Sequence, residues 1–420
     1  LGGIAAGVRN LGRAEKEPLA EAFLNAGNAR KLARRLARMR GAAMKMGQMM
    51  SLDSTDYLPR EFAEALAVLR DSAHTMPDSQ LRRVLGREYG KGWEAKFEHF
   101  DYQPIAAASI GQVHRARSRD GRDIALKIQY PGVAKSINSD VDNMAALLRL
   151  SKLLPVEIDL SGFTTEIKRQ LQREADYRLE QDNISWYRKL VRDDPRFIVP
   201  AVHAGLSTRR ILAMDYLEGI PVESVEDCGI NQGQRNEIGS RLQELVFREL
   251  FEFRTMQSDP NFANYLYQPD TGRIVLLDFG ATVSFEKVFS DHYAGIAGAL
   301  LADDAGASRH YAEKLGYLRS NSSEEYAGRI MEIVSLIFEP MRQSGIYDFG
   351  RSDLFARAKS LGIAMFMDGM GSREQYAVPP PETSFLHRKL VGSYMLSSRL
   401  KARFNVQDLI RPYLGDSLPV

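Results

Sequence analysis

The 420-residue chain is 44% hydrophobic and 26% charged, with a formal net charge of +2. That balance suits a globular protein of one large or two fused folding units, and it lacks the strong basicity of a general nucleic-acid binder, so no nucleic-acid partner is expected. The single cysteine, Cys228, excludes an internal disulfide framework and thiolate zinc sites, and fits a reducing compartment. No apolar run approaches the ~18 residues of a membrane span, and no secretory signal peptide is evident. These features predict a cytoplasmic protein, with room for a segment before Leu1.

The first 40 residues hold nine basic side chains and three acidic ones. From Leu32 the apolar residues recur at helical spacing through Leu36, Met39, Ala43, Met46 and Met50, so Asn28–Met50 reads as an amphipathic helix with a basic outer face. That face is either solvated and packed on a neighbour, or turned toward an anionic membrane surface. Leu58–Leu69 and Pro77–Tyr89 continue as helices, with Pro59 and Pro77 at first-turn positions. The pattern changes near Phe100. Ile105–Ala116, Ile124–Gln129 and Arg210–Tyr216 read as strands, and Ser118–Asp123 supplies a polar turn. Val133–Leu154 and Ser161–Val191 read as long helices. From Gly233 the chain reads as mostly helical, broken by a strand at Arg273–Leu277, and Phe285–Ala302 reads as a helix. Pro379-Pro380-Pro381 marks a rigid joint before a last helical stretch. The resulting division is a helical extension (1–100), a small sheet-rich lobe (101–218) and a larger helical lobe (219–420).

The strongest chemical signal is Asp259-Pro-Asn-Phe-Ala-Asn264, followed by the apolar strand that ends in Asp278-Phe-Gly280. Phosphoryl transfer needs a carboxylate near the acceptor oxygen and oxygen ligands that hold Mg²⁺ against the phosphates. In protein kinases the carboxylate and an Asn sit five residues apart on one loop, and a second metal ligand is the Asp of an Asp-Phe-Gly after a short strand. Asp259, Asn264 and Asp278 reproduce that order. An Asp-Phe-Gly alone is as well read as a strand ending in a turn; the combination carries the signal. In Ile124–Gln129, alternation puts Ala125, Lys127 and Gln129 on one strand face. A lysine there reaches phosphates when a helix glutamate holds it, and Glu180 is the candidate. Ala106-Ala107-Ala108-Ser109-Ile-Gly111-Gln-Val113 occupies the place of a glycine-rich phosphate loop, although alanine methyls restrict the backbone where glycine would let it approach. Met214, Tyr216 and Leu217, at the end of the Arg210–Tyr216 strand, stand where adenine would be hydrogen-bonded.

These pieces in this order resemble the UbiB/AarF family of atypical protein-kinase-like proteins, closest to its coenzyme Q (ubiquinone) branch. The specific mark is Lys45-Met-Gly-Gln48, which looks like the family's Lys-x-Gly-Gln signature and precedes the kinase core. The alanine-rich loop, Glu174-x-Asp176, Asp259-Pro-Asn and Pro380-Pro-Glu-Thr383 also match, and the likeness runs over nearly the whole chain. The resemblance implies an α+β, bilobal protein-kinase-like fold with a family-specific helical N-terminal extension and a largely helical C-lobe. It implies ATP or ADP with Mg²⁺ as cofactors. In it Lys127 contacts phosphates and pairs with Glu180, Asn264 and Asp278 hold Mg²⁺, and Asp259 takes the place of the catalytic carboxylate. Lys45 and Gln48 lie over the site, facing Glu174 and Asp176, and obstruct protein substrates; the alanine loop shifts nucleotide preference toward ADP.

The resemblance also implies ubiquinone-biosynthesis proteins as partners and a lipid or quinone precursor as ligand. It implies a peripheral position at an inner membrane, on the matrix side in a mitochondrion. Two functional classes follow. One is an ATPase or small-molecule (lipid) kinase supporting ubiquinone synthesis. The other is a pseudokinase scaffold that binds nucleotide together with lipids or biosynthetic enzymes. An ordinary protein kinase is disfavoured, because no Ala-Pro-Glu-like end to an activation segment follows Asp278.

Overall fold

The computed structural model describes residues 76–108, 110–150, 161–368 and 379–414. The helices expected at Asn28–Met50 and Leu58–Leu69, and the residues Lys45, Gln48 and Ser109, lie outside the described residues. In chain order the elements are α1 (Asp78–Tyr89), β1 (Phe97–Ala108), β2 (Gly111–Ser118), β3 (Asp123–Gln129), α2 (Val133–Leu150), α3 (Ser161–Glu174), α4 (Tyr177–Leu190), β4 (Phe197–Ile198), β5 (Ile211–Asp215) and β6 (Ile220–Pro221). They continue with α5 (Gln232–Phe251), β7 (Thr255–Gln257), β8 (Tyr265–Gln268), β9 (Arg273–Leu276), β10 (Thr282–Ser284), α6 (Lys287–Leu301), α7 (Ala305–Lys314), α8 (Glu324–Ile337), α9 (Glu339–Arg342), β11 (Tyr347–Asp348), α10 (Leu354–Asp368), α11 (Pro381–Arg399), β12 (Arg403–Phe404) and α12 (Val406–Ile410). Two compact units result. Among the described residues, one holds those up to Asp182 together with Ala201–Tyr216; the other holds Asn183–Pro200 and those from Leu217.

The first unit is built on an antiparallel sheet in the order β1-β2-β3-β5. Alternation along β3 decides its two faces. Ile124, Leu126 and Ile128 are fully buried in a core with Leu81, Val84 and Leu85 of α1, Trp93 and Phe97. Ala125, Lys127 and Gln129 point to the opposite face and are buried as well. Gln129 Nε2 donates to the Ala175 carbonyl at 2.7 Å, which ties that face to the joint between α3 and α4.

Two expectations are corrected in this unit. Ile105–Ala116 is not one strand but the tip of the β1–β2 hairpin, in which Ala106 pairs with Val113 and Ala108 with Gly111. The alternating run spans the turn because small residues continue on both sides of it. Ser161–Val191 is not one helix; it breaks at Ala175–Asp176 into α3 and α4. The Asp176 carboxylate accepts the N–H groups of Arg178 (3.1 Å) and Leu179 (3.2 Å), and its carbonyl accepts the first turn's N–H from Glu180 at 3.1 Å. Asp competes for backbone donors in this way and starts a new helix where apolar spacing alone would continue the old one.

The second unit carries a sheet in the order β4-β9-β8-β6, with β4 parallel to β9 and the other pairs antiparallel. A separate two-stranded ribbon pairs β7 with β10. Its central helix α5 starts in a capping box: Asn231 Oδ1 accepts from the Gln234 N–H at 3.0 Å, and Gln234 Oε1 accepts from the Asn231 N–H at 3.2 Å. Leu242, Leu245, Val246 and Phe247 of α5 are buried, and α5 packs on α11. The expectation of one strand after Gly233 is corrected here too, since β7, β8, β10, β11 and β12 also form. They are two to four residues long, too short to show a period of two.

Gly111 has a packing role. A Cβ there would run into the Ile128 carbonyl, 2.9 Å from its carbon and 3.2 Å from Gln129 Cα, so β2 and β3 approach only because the side chain is absent. Gly111→Ala is therefore expected to destabilise the chain by about 2 kcal/mol, because the obstructing atoms are backbone. A urea transition whose midpoint falls at unchanged slope would show it; an unshifted midpoint would contradict this packing.

Candidate functional site

In the first unit the central geometry is an ion pair. Lys127 lies mid-strand on β3, between Val113 of β2 and Leu212 of β5. Its Nζ meets both oxygens of Glu180, at 2.8 and 3.0 Å. Glu180 sits in the first turn of α4, where a carboxylate is also favoured by the helix dipole. The two side chains are 9% and 1% exposed. The ammonium also lies 5.4 Å from the centroid of the buried Tyr177 ring. Strand, helix start and the Gln129–Ala175 hydrogen bond together fix the position of the lysine head.

The hairpin with the alanine loop belongs to the same unit. Ala106, Ala107 and Ala108 close β1, and Gly111 and Val113 open β2. Met214 pairs with Ala125 across β3–β5. The Tyr216 N–H is donated to the Asp123 carbonyl at 3.0 Å, so this donor is spent within the sheet. The Tyr216 ring lies under the Arg115 guanidinium at 4.3 Å. Asp215, between them, takes His203 Nε2 at 2.8 Å and the Ala201 N–H at 3.0 Å. Glu174 ends α3, and Asp176 is the cap of α4 described above.

In the second unit Asp259 and Asn264 share one tight loop. Asp259 Oδ1 accepts the Asn261 N–H at 3.2 Å, and Asn261 Oδ1 in turn accepts the Ala263 N–H at 3.1 Å, starting a single 3₁₀ turn over Phe262–Asn264. Asn264 is nearly buried, with Nδ2 directed at the Asp259 carbonyl at 3.5 Å. The Asn264 carbonyl receives the Leu277 N–H at 2.9 Å, which brings Asp278 alongside the loop. Asp278 Oδ1 accepts the Gly280 N–H at 3.0 Å. Phe279 is buried with its ring 4.8 Å from that of Tyr187, and its carbonyl accepts from Asn183 Nδ2 at 3.0 Å and Thr282 Oγ1 at 2.8 Å. Among the described residues, no group of three or more His, Cys, Asp or Glu forms a metal cage. Asn264 and Asp278 offer an amide and a carboxylate oxygen, the hard donors that Mg²⁺ takes alongside phosphate oxygens.

Behind this loop lies a polar cluster that motif reading misses. Lys389 of α11 donates to the Gln257 carbonyl (2.7 Å), to Gln257 Oε1 (2.8 Å) and to the Tyr265 hydroxyl (2.9 Å). Glu249 of α5 is fully buried, with Oε2 3.4 Å from Lys389 Nζ. Its Oε1 accepts from the Tyr187 hydroxyl and the Gln257 N–H, both at 2.8 Å. Burial pushes the Glu249 carboxyl above its usual range, against the pull of Lys389. Burial alone would lower the Lys389 ammonium, but the facing Glu249 and Tyr265 outweigh it and raise it. No local signal marks Lys389, whose partners lie 124 and 132 residues away.

A strand lysine bound to a helix glutamate, an Asp/Asn loop and an Asp-Phe-Gly after a short strand define a protein-kinase-like protein of mixed α+β fold. A solved structure from Mycobacterium tuberculosis, Rv3197 in complex with erythromycin, superposes with a TM-score of 0.65 at 27% identity, covering 95% of this chain and 99% of that one. The chain belongs to the ABC1 atypical kinase-like family, whose domain matches residues 68–312. Among curated relatives it is 39% identical to the atypical kinase COQ8B, mitochondrial, of Rattus norvegicus, over 93% of this chain and 72% of that protein. It is 36% identical to COQ8B of Danio rerio, over 92% of this chain and 61% of that one. To the atypical kinase COQ8, mitochondrial, of Saccharomyces cerevisiae it is 33% identical, over 97% and 80% respectively. Among the described residues no helix is long and apolar enough to cross a membrane.

The Lys127–Glu180 pair makes a stability prediction. Lys127→Met strands a buried carboxylate and is expected to cost about 3 kcal/mol, while adding Glu180→Gln in the same chain recovers most of the loss. Chemical denaturation of the two variants checks it. A single variant as stable as the parent would show that the pair is not desolvated.

Proposed function

We propose that this atypical kinase-like protein binds ATP or ADP with Mg²⁺ and acts as an ATPase or small-molecule (lipid) kinase supporting ubiquinone biosynthesis. The observation that carries the reading is the buried, two-pronged Lys127–Glu180 contact. An ammonium held at one point, rather than waving in solvent, is what orienting a polyphosphate requires. In this reading Lys127 contacts the phosphates. Asp259 orients the attacking hydroxyl or water and receives its proton, and Asn264 and Asp278 hold the metal. Bound Mg²⁺ would neutralise charge on the transferring phosphoryl group. The likeness of Ala106–Ala108 to the family's alanine-rich loop supports a preference for ADP over ATP.

Small acceptors are preferred over peptides for two reasons. Glu174 and Asp176 flank the α3–α4 joint, and Lys45 and Gln48 of the N-terminal extension are their proposed partners in closing the site. A similar protein has also been solved with erythromycin, a small organic molecule. The proposed location is peripheral on an inner membrane, with the basic N-terminal stretch as the contact to anionic lipid.

The test is Mg²⁺-dependent ATP hydrolysis by the purified chain, with and without anionic liposomes and phenolic quinone precursors, beside Asp278→Asn. The expected result is turnover that rises with lipid or precursor and falls by about 100-fold or more in the variant. Nucleotide binding without turnover under every condition would instead support the scaffold reading. Absence of Mg-nucleotide binding would end both.

A further inference from the structure

We propose that Lys389 is a positioning residue for the Asp259–Asn264 loop, acting through Gln257. Gln257 is the last residue of β7, two positions before Asp259, and all four of its hydrogen-bonding groups are engaged. Its N–H goes to Glu249 Oε1 at 2.8 Å and its carbonyl receives Lys389 Nζ at 2.7 Å. Its Oε1 receives Lys389 Nζ at 2.8 Å and the Tyr265 hydroxyl at 3.2 Å. That leaves Nε2 for the Asp259 carbonyl at 2.9 Å, the same carbonyl that Asn264 Nδ2 approaches at 3.5 Å.

The sense of the Gln257 amide matters. A side-chain amide can turn over and exchange its donor and acceptor ends. An ammonium has three donors and no acceptor, so Lys389 admits only the orientation with Oε1 toward itself. The other end must then be the NH₂, a donor aimed at the Asp259 backbone. A neutral partner that both donates and accepts would not impose that choice. Glu249 balances the charge that burial of Lys389, 4% exposed, brings into the interior.

A second contact from the same helix face supports the assignment. Gly392 lies three residues after Lys389, hence on the same side of α11. A Cβ at Gly392 would run into the Pro260 ring, 3.1 Å from Cγ and 3.4 Å from Cα. One helix therefore touches the loop before and after Asp259: through the amide of Gln257 and through the ring of Pro260. The Asp259 carboxylate and the Asn264 amide are set by a lever anchored in α11.

The catalytic consequence of this proposal rests on the Mg-nucleotide reading above, and the test separates the two. Replacing Lys389→Met together with Glu249→Gln removes the directing charge without stranding a carboxylate. Backbone amide exchange in the nucleotide-free chain is measured first. Protection of Asn261, Ala263 and Asn264 is expected to fall by about tenfold or more, while that of the α5 interior stays at the parent level. In the same variant the Mg²⁺ concentration needed for half-maximal nucleotide binding rises by about tenfold, metal-free nucleotide affinity is unchanged, and kcat falls at constant KM. A folded variant with parent-level loop protection and parent Mg²⁺ dependence overturns the proposal. Should the pair be needed for folding, Gln257→Leu keeps Lys389 and Glu249 in the chain and removes the side-chain link to Asp259, together with the Oε1 contacts to Lys389 and Tyr265. The same loss of loop protection is expected there, and its absence is equally fatal. A parent chain that ignores Mg-nucleotide would refute the proposed function, and the exchange measurement would still decide the role of Lys389.

Discussion

A lysine taken out of water must meet a counter-charge, or it gives up its proton. Among the described residues, each of the two units meets that constraint in one place. In the first, Lys127 is held by both oxygens of Glu180; in the second, Lys389 faces Glu249 and three neutral acceptors. Coulomb attraction is strong where the surroundings are apolar, so an ammonium so placed has little positional freedom. The elements around each pair can be understood from it. β3 supplies a buried face that carries Lys127, and α4 follows Asp176 so that its first turn delivers a carboxylate. α5 and α11 pack closely enough to exclude water from the second pair.

The sheet of the first unit is legible because β3 alternates cleanly, with Ile124, Leu126 and Ile128 on one side and Ala125, Lys127 and Gln129 on the other. The glutamate that meets the lysine is not legible from periodicity. Glu174 and Glu180 fall in one apolar-periodic stretch, and only the helix break at Asp176 separates a residue ending α3 from one opening α4. That break depends on a side-chain hydrogen bond to Arg178 and Leu179, which competes with the helix and leaves the spacing of apolar residues undisturbed. The hairpin tip is marked by the kinase-like order of the motifs and not by periodicity. Ala106, Ala107, Ala108 and Gly111 are all small, so no change of pattern marks the turn.

In the second unit the order Asp259, Asn264, Asp278 can be read from spacing alone, because these residues are near neighbours in the chain. The supports of that loop are legible only in part. Asn261, which caps the 3₁₀ turn, lies within the motif. Gln257, Tyr265 and Glu249 look like ordinary polar or aromatic residues until their burial is known. Lys389 looks like a solvated helix lysine in a basic stretch with Arg388. Long-range partners leave no periodic trace, and the short strands β7, β8 and β10 that carry the loop are held by pairing rather than by composition.

The contact of Gly392 with Pro260 has a bearing on biosynthesis. A nascent chain that has left the ribosome as far as Gly280 already contains Lys127, Glu180, Asp259, Asn264 and Asp278. It does not yet contain the helix on which the loop around Pro260 rests. Domains form in the order in which they are made, and here the loop must wait for more than a hundred further residues before its geometry can settle. A protein stalled or clipped ahead of α11 would thus display the signature of a kinase in its sequence while the Asp259–Asn264 loop lay unsupported.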